Sequence, residues 1–346
     1  MKAMRVMTVK SLLSLSLVFM LGACGSAGVE TTASDTKSED NLAAQSTVAQ
    51  EETSATRTYT DYNGTKSEIP AVPKRIVSVA GSGATIDLLE LGFSPIAYPY
   101  RYMQDSSILK DTVQQLNATA TDIGMPTNLE AVLGRDPDLI VFGYETQDGE
   151  QAQLEKIAPV AAFDESLAFQ DRLLAIGDIV DKQDEAKAIV ADINEQTEQM
   201  WKQLYAEGKI GKDETAAVVV YYWNKKMYVM KNFGVFDLIN HPSGMKLSPE
   251  IEALNASSSS SYIELSEEAM VDTLVSDHLF LIYDQNEEAT EGFKQLRQSS
   301  LFQMLPQVKN EKVHYIPIEY NDSDLITVRK LIQDFPSLLD ANPSKD

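Results

Sequence analysis

Short apolar runs rich in β-branched and aromatic residues alternate with helical patterns along most of the chain. Several of these runs are apolar at successive positions, which predicts strands that are buried on both faces. Such strands are typical of a mainly parallel sheet covered by helices, so the pattern predicts the α/β class. The predicted strands cover residues 75–79, 139–142, 159–163, 217–223, 227–230, 279–283 and 313–318.

One segment between two groups of strands has the spacing of a single long helix. From Gln183 to Tyr205 the chain contains no Pro, and Asp181 or Asp184 offers a cap for the helix N-terminus. At 1.5 Å per residue this helix would be about 35 Å long, which is about the span of a lobe. Apolar residues recur along it at helical intervals, at Ala186, Ile189, Val190, Ile193, Met200, Trp201 and Leu204.

The two groups of strands and the helix between them predict two Rossmann-like α/β lobes, bridged by one long rigid helix, with a ligand cleft between the lobes. A faint internal repetition supports this plan, because a polar cap, a Glu, an apolar helix, an Asp and a strand occur in residues 128–143 and again in 266–283. The predicted boundaries are 58–165 for the N-terminal lobe, 166–210 for the helical spine and 211–346 for the C-terminal lobe.

The first residues have the pattern of an export signal. Three basic residues precede a short apolar run, and small residues precede Cys24, the only cysteine in the chain. Leu21 to Cys24 resembles the bacterial lipobox, so residues 1–23 are predicted to be a removable signal peptide and Cys24 to be lipidated, for example by palmitate. Residues 24–57 are polar and low in large apolar side chains, which predicts a disordered tether. We expect an extracellular protein anchored to the outer face of the cytoplasmic membrane of a Gram-positive bacterium.

The charge of the chain restricts its partners. The net charge is −23, and removal of Lys2, Arg5 and Lys10 with the signal peptide makes it −26. Nucleic acids and anionic lipid surfaces are therefore poor partners. The three histidines, His241, His278 and His314, all lie in the C-terminal third, which argues against a bare zinc or manganese site built from both lobes. We expect His278 and His314 to be structural.

Catalytic motifs are not found. The sequence has no Gly-x-Ser-x-Gly elbow, no His-Glu-x-x-His, no phosphate loop and no Gly-x-Gly-x-x-Gly. We therefore predict that the protein is not an enzyme. The alternatives from other classes are an exported α/β hydrolase and a surface adhesin.

Two stretches carry a family resemblance. Residues 73–78 with 87–92, and Asn128-Leu129-Glu130 with 136–141, resemble the iron-siderophore, haem and cobalamin class (class III) of periplasmic binding proteins. The resemblance extends from Tyr59 to the C-terminus and implies two lobes on one long helix with a modest hinge motion. It also implies delivery of the ligand to an ABC permease and its ATPase by a monomeric binding protein.

The resemblance implies one exposed glutamate on each lobe that pairs with arginines of the permease. The matching positions are Glu130 and Glu268, although Glu267 beside the second leaves that choice open. From the residues alone both positions also suit helix capping. Thr127 and Glu130 form a Thr-x-x-Glu capping box, and Glu268 follows Ser266 in the first turn of a helix.

A ferric chelate arrives wrapped in its organic ligand, so its cleft needs aromatic walls and a few cations instead of metal ligands or a cofactor. The resemblance places ligand contacts in loops after strands, including the loop Tyr320-Asn321-Asp322-Ser323. From the residues alone, each candidate also suits a packing or surface role. The candidate ligand contacts are Arg101, Tyr144, Tyr222, Trp223 and Arg329.

Within the class, the acidic body favours a neutral or cationic hydroxamate siderophore over a triply charged catecholate. Haem-binding relatives supply a Met just before the N-lobe Glu and a His from the C-lobe. Here Thr127 stands nearest the position of that Met, and Met125 lies two residues earlier. His241 is the histidine that could match the C-lobe His. Haem and cobalamin therefore stay as alternatives to a ferric siderophore.

Overall fold

The computed structural model describes residues 55–144 and 147–340. Within this part, a hairpin precedes a five-stranded parallel sheet with strand order β5-β4-β3-β6-β7. Residues of β3 and β6 are buried at every position, as their mainly apolar sequences predict, and the one polar residue among them is Ser78. The strands are β1 (Thr56–Thr60), β2 (Lys66–Pro70), β3 (Ile76–Val79), β4 (Ala97–Tyr98), β5 (Thr121–Asp122), β6 (Leu139–Phe142) and β7 (Val160–Ala162).

Helices connect the strands of this N-terminal lobe, and two more helices, α5 and α6, follow its last strand. The last of them, α6, has 24 residues and is about 36 Å long. The helices are α1 (Ser82–Glu90), α2 (Lys110–Asn117), α3 (Leu129–Leu133), α4 (Glu150–Leu154), α5 (Phe169–Ile179) and α6 (Gln183–Ala206).

The predicted cap of the long helix is wrong. The residue before α6 is Lys182, and no side chain caps the helix. The turn from α5 is so tight that Asp181 has φ 57°, and the Lys182 N–H closes the end of α5 on the Gly177 carbonyl. Asp181 thus belongs to the end of α5, and Asp184 lies within the first turn of α6.

The C-terminal lobe contains a mixed sheet with strand order β11-β9-β8-β12-β13, and β10 pairs with β8. The β8, β12 and β13 strands are parallel, whereas β9 and β11 add an antiparallel edge. The strands are β8 (Thr215–Tyr221), β9 (Met227–Met230), β10 (Lys246–Leu247), β11 (Tyr262–Leu265), β12 (His278–Tyr283) and β13 (Val313–Pro317). The helices are α7 (Val235–Ile239), α8 (Pro249–Ala256), α9 (Glu267–Thr273), α10 (Glu287–Gln298), α11 (Ser300–Met304), α12 (Pro306–Lys309) and α13 (Leu325–Leu338).

Alternation along the strands divides the core into three clusters. Leu139 and Val141 of β6 face a central cluster, together with Val218 and Val220 of β8 and residues of α5, α6 and α13. The alternate strand residues face a separate cluster in each lobe. Because the central cluster includes residues of both sheets, the two lobes share one apolar core.

A buried arginine joins the lobes beside this core. Arg172 of α5 donates to the carboxylate of Asp87 in α1 at 2.7 Å and to the carbonyl of Ser323, before α13, at 2.8 Å. Both charged side chains are almost fully buried. A Cβ at position 83 would lie 2.4 Å from the guanidinium carbon, so Gly83 leaves the space that Arg172 occupies.

The α/β class and the two-lobed plan with its long helix are confirmed. The residue boundaries of the lobes stay a prediction, since the described residues, 55–144 and 147–340, pack as one compact unit. Cys24 and nearly all of the predicted tether lie outside the described residues. Among the described residues, no helix is long and apolar enough to cross a membrane.

Candidate functional site

A cavity of about 360 Å³ lies between segments of the two lobes. Its walls come from the loops that follow β4, β8 and β13, from the loop before α7 and from the start of β11. In open α/β sheets such loops, beyond the carboxyl ends of the strands, are the usual place for a ligand. The lining residues are Arg101, Tyr102, Asp105 and Ser106 from the N-terminal lobe, and Tyr222, Phe233, Tyr262, Ile318, Glu319, Asn321 and Asp322 from the C-terminal lobe.

The C-terminal wall is aromatic. The ring of Tyr262 lies 5.9 Å from that of Tyr222 and 6.3 Å from that of Phe233, measured between centroids. Burial raises the pKa of both tyrosines. The phenols therefore stay neutral, and the wall offers both apolar ring surface and hydroxyl groups to a ligand.

The two predicted residues that follow β8 face different environments. Tyr221, the last strand residue, packs on Phe293 in the core of the lobe, and Tyr222 therefore points to the opposite side and lines the cavity. Trp223 lies in the hairpin turn before β9, is 61% exposed and does not line the cavity. Its role as a ligand contact stays a prediction.

The N-terminal wall is built on the short 3-10 helix Tyr100–Tyr102. Arg101 is exposed at the cavity and makes no ion pair or hydrogen bond to any other residue of the described chain. Tyr102 packs edge-to-face on Tyr144, and the two phenols are hydrogen-bonded. Tyr144 itself lines a smaller neighbouring pocket with Met125 and Thr127, so it supports the wall from behind.

Arg329 lies outside the cavity lining. Its guanidinium contacts the Glu90 carboxylate of α1 at 2.5 Å, so it joins α13 to the N-terminal lobe. This ion pair is a second polar contact between the lobes, in addition to the contacts of Arg172. Its predicted contact with the ligand remains untested.

Among the described residues that line the cavity, carboxylates outnumber cations, with Asp105, Glu319 and Asp322 against the guanidinium of Arg101. Glu319 accepts a hydrogen bond from the Ser107 hydroxyl, which spans from one lobe to the other. Burial and, secondarily, the neighbouring Asp324 carboxylate raise the pKa of Asp322 to about 7. Asp322 has no ion pair with a Lys or Arg of the described chain.

Sequence reasoning pointed to the loop of Asn321 and Asp322 but missed Phe233, Tyr262 and Asp105. Tyr262 begins β11, a short edge strand that has no strong apolar pattern of its own. It reaches the cavity because β11 pairs with β9. Strand β9 was predicted from the sequence. A search for a strand that pairs with β9 could therefore have found β11 and Tyr262.

The predicted docking residues are exposed on short helices. Glu130 lies on α3, whose N-terminus is capped by the Asn128 side chain. The predicted Thr127–Glu130 capping box is therefore wrong, because Thr127 is one residue too early and is buried. The second expectation is confirmed, since Ser266 caps α9 and Glu267 and Glu268 both lie exposed in its first turn.

His278 and His314 lie away from the cavity and form a buried chain of hydrogen bonds. His278 contacts Glu214 and His314, each at 2.8 Å, and His314 contacts the Leu339 carbonyl at 3.0 Å. Both histidines begin or nearly begin their strands, whereas the cavity lies beyond the opposite strand ends. Their partners support the structural role that we expected. In the part of the chain that the structure describes, no group of three or more His, Cys, Asp or Glu residues could hold a metal ion.

Comparison with known proteins identifies the family. A sequence model described as periplasmic binding protein matches residues 77–320. The chain belongs to the periplasmic binding protein family. This confirms the resemblance that the motifs around Asp87 and Glu130 indicated, and it shows a family of binding proteins rather than enzymes.

Individual relatives agree with this assignment. The chain is 27% identical over 289 residues, 80% of this chain and 85% of the relative, to the "Probable siderophore-binding lipoprotein YfiY" of Bacillus subtilis. The FhuD protein from S. pseudintermedius has a similar structure, with a TM-score of 0.69 and 22% identity over 84% of this chain and 99% of that one. Staphylococcus aureus SirA complexed with staphyloferrin B gives a TM-score of 0.70 and 22% identity over 83% and 99%. These structures show a shared fold.

We predict that Asp322→Asn stabilises the ligand-free protein, and more so at high pH. The wild-type carboxyl has a pKa of 3.8 when unfolded and about 7 when folded. The folded state therefore holds the proton more tightly, and the contribution of Asp322 to stability falls as the pH rises through that window. At pH about 8 the variant should gain about 2–4 kcal/mol in the free energy of unfolding, and at pH about 5 roughly 2 kcal/mol less than that.

Urea unfolding at the two pH values measures this difference. Asp213→Asn is the control, because Asp213 is exposed and lies outside the cavity lining, and its effect should stay within about 0.5 kcal/mol at both pH values. An Asp322→Asn effect that is the same at both pH values would show that the burial of this charge is compensated.

Proposed function

We propose that the protein captures a ferric siderophore outside the cytoplasmic membrane and delivers it to an ABC permease. The observation that carries the proposal is the aromatic cavity of about 360 Å³ between the lobes, which offers rings and hydroxyl groups. A preassembled ferric chelate needs such surfaces because its iron is already fully coordinated. The relative named as a siderophore-binding lipoprotein supports the same assignment.

The hydroxamate class is favoured by the charge of the cavity. Three carboxylates and one guanidinium line it, and a triply charged catecholate complex would be repelled by that arrangement. Among the structural relatives, FhuD2 from Staphylococcus aureus is known with bound ferrioxamine B, at a TM-score of 0.64 and 22% identity over 77% of this chain and 98% of that one. Ferrioxamine B is a ferric trihydroxamate.

Haem fits the cavity less well. The described residues that line it include no His, Cys or Met, and burial raises the pKa of its tyrosines, Tyr102, Tyr222 and Tyr262, which disfavours the phenolate that would hold haem iron. His241 lies in a separate pocket of about 20 Å³ near α6, and Met125 lies in the pocket behind Tyr102. These positions favour a siderophore over haem.

Titration of intrinsic tryptophan fluorescence tests ligand binding. Trp223 is exposed beside the cavity residue Tyr222, whereas Trp201 is fully buried. We expect saturable quenching by a ferric trihydroxamate, and weaker or no response to ferric catecholate, ferric citrate and haem. Tyr262→Ala should weaken hydroxamate binding about tenfold, because burial of an aromatic ring contributes about 1.5–3 kcal/mol.

Two control variants separate the signal from the site. Trp223→Phe should remove most of the quenching while calorimetry still detects binding, and Tyr62→Ala, at an exposed tyrosine that does not line the cavity, should bind normally. A flat response to every hydroxamate in both assays, or saturation by haem alone, would contradict the proposed ligand.

Delivery is proposed to use Glu130 and Glu268. Both are exposed carboxylates in the first turn of a helix, one on each lobe, and carboxylates are suited to bidentate pairing with arginine. The Glu130→Arg/Glu268→Arg double variant should bind the chelate normally but lose at least about tenfold in uptake, since like charges would then face each other.

Uptake of radioactive iron from the chelate into cells measures this loss. A Glu155→Arg/Glu252→Arg double variant reverses the same number of exposed charges elsewhere on the two lobes and should transport normally. If the first variant also transports at the wild-type rate, Glu130 and Glu268 do not form the docking contacts. If only Glu267→Arg blocks transport, the second docking residue is its neighbour.

A lipid anchor at Cys24 is proposed to keep the protein at the outer face of the membrane. The support is the lipobox-like sequence before the only cysteine and the lipoprotein name of the Bacillus relative. Cys24→Ala should move the protein from the membrane fraction to the culture medium. Retention in the membrane fraction would contradict the anchor.

A further inference from the structure

One carboxylate of the cavity differs from Asp87 and Asp324, two fully buried acids of the same region. Asp87 is buried but pairs with Arg172, and Asp324 is buried but caps α13 by accepting from the Thr327 N–H at 2.9 Å. Asp322 is half-buried at the cavity wall, and no Lys, Arg or backbone N–H of the described chain contacts its carboxylate. Its charged neighbour is another acid, Asp324.

Even a half-buried carboxylate without a counter-charge is costly, and natural proteins often retain such groups where function uses them. Asp322 lines the ligand cavity, so a bound molecule is the available source of a counter-charge. Among the described residues that line the walls, the only cation is Arg101, which belongs to the opposite lobe and makes no ion pair with Asp322.

The surroundings of Asp322 also suit a cation. Tyr222 and Tyr262 line the same cavity as Asp322, and burial, with the Asp322 charge as a lesser cause, raises the pKa of both phenols. With Phe233, they place three aromatic rings on the same wall. Aromatic faces attract ammonium groups, and a carboxylate accepts their hydrogen bonds.

We propose that Asp322 and the rings of Tyr222, Phe233 and Tyr262 form an ammonium subsite, which makes the cavity selective for ferric chelates that carry a protonated amine. This inference rests on the proposed siderophore function and deepens it. It attributes the preference for a positively charged complex to one side chain, Asp322, instead of to the acidic surface as a whole.

The test compares two ferric trihydroxamates that differ by a single charge. Ferrioxamine B has a free terminal amine, and its N-acetylated derivative has the same iron coordination without that charge. At pH about 8, where Asp322 is ionised, wild-type protein should bind the amine form about tenfold or more tightly than the acetylated form, as measured by calorimetry. Asp322→Asn should reduce this ratio to within about threefold, chiefly by weakening binding of the amine form.

Salt dependence separates the subsite from the general field of the acidic protein. Exposed charges are largely screened at about 0.5 M salt, whereas a buried pair is screened much less. The preference of the wild type should therefore persist at that salt concentration. Asp322→Glu should retain most of the preference, and Asp213→Asn, which removes an exposed charge that does not line the cavity, should retain all of it.

Three results would overturn the inference. Equal affinity of the wild type for the two complexes, or a preference that survives in Asp322→Asn, would remove Asp322 as the selecting residue while leaving siderophore binding intact. A preference that vanishes at high salt would assign it to the surface charge. Failure of both complexes to bind would contradict the hydroxamate assignment and, with it, the ammonium subsite.

Discussion

The buried guanidinium of Arg172 is the contact on which the arrangement of the lobes depends. It binds Asp87 in the N-terminal lobe and the Ser323 carbonyl in the C-terminal lobe, and Gly83 leaves the space for it. Removing one partner of such a pair would leave a buried charge uncompensated, which is strongly destabilising. Together with the shared apolar core along α6, this contact limits how far the lobes can separate, so the cavity exists before the ligand arrives.

The cavity follows from that constraint. Arg172 holds Ser323, the residue after Asp322, so the loop that carries Asn321 and Asp322 is fixed against the N-terminal lobe. The opposite wall, with Arg101 and Tyr102, is supported from behind by Tyr144. The same rigidity that preforms the aromatic walls also keeps Asp322 away from any cation of the described chain. The energetic penalty at Asp322 and the preformed site therefore have the same structural origin.

Much of the fold could be predicted from the sequence, because burial on both faces leaves uniformly apolar strands. The predicted strands 139–142 and 227–230 have the bounds that the structure shows, and the long helix ends one residue later than predicted. Family membership was carried by the motifs around Asp87 and Glu130. The helix caps were harder, since a shift of one residue, as at Thr127 and Asn128, exchanges a cap for a buried side chain.

The site was less predictable because its walls depend on distant pairings. Tyr222 follows a long, clear strand pattern, and Arg101 lies within an unusual cluster of tyrosines. Both line the cavity. Tyr262 and Phe233 lie on a short edge strand and a loop, whose positions are set by β9 and by the packing of α7. Trp223 and Arg329 also had suitable chemistry, but neither lines the cavity. Trp223 lies in the exposed turn before β9, and Arg329 forms an ion pair with Glu90.

The most direct test of the preformed cavity is a crystal structure of the protein with a bound ferric trihydroxamate, in which anomalous scattering locates the iron. We expect the iron complex between the Arg101 loop and the ring of Tyr262, with the Arg172 contacts to Asp87 and Ser323 unchanged. Iron bound at another surface, or a complex that forms only after Arg172 separates from either partner, would contradict the idea of two rigidly joined lobes around a preformed site.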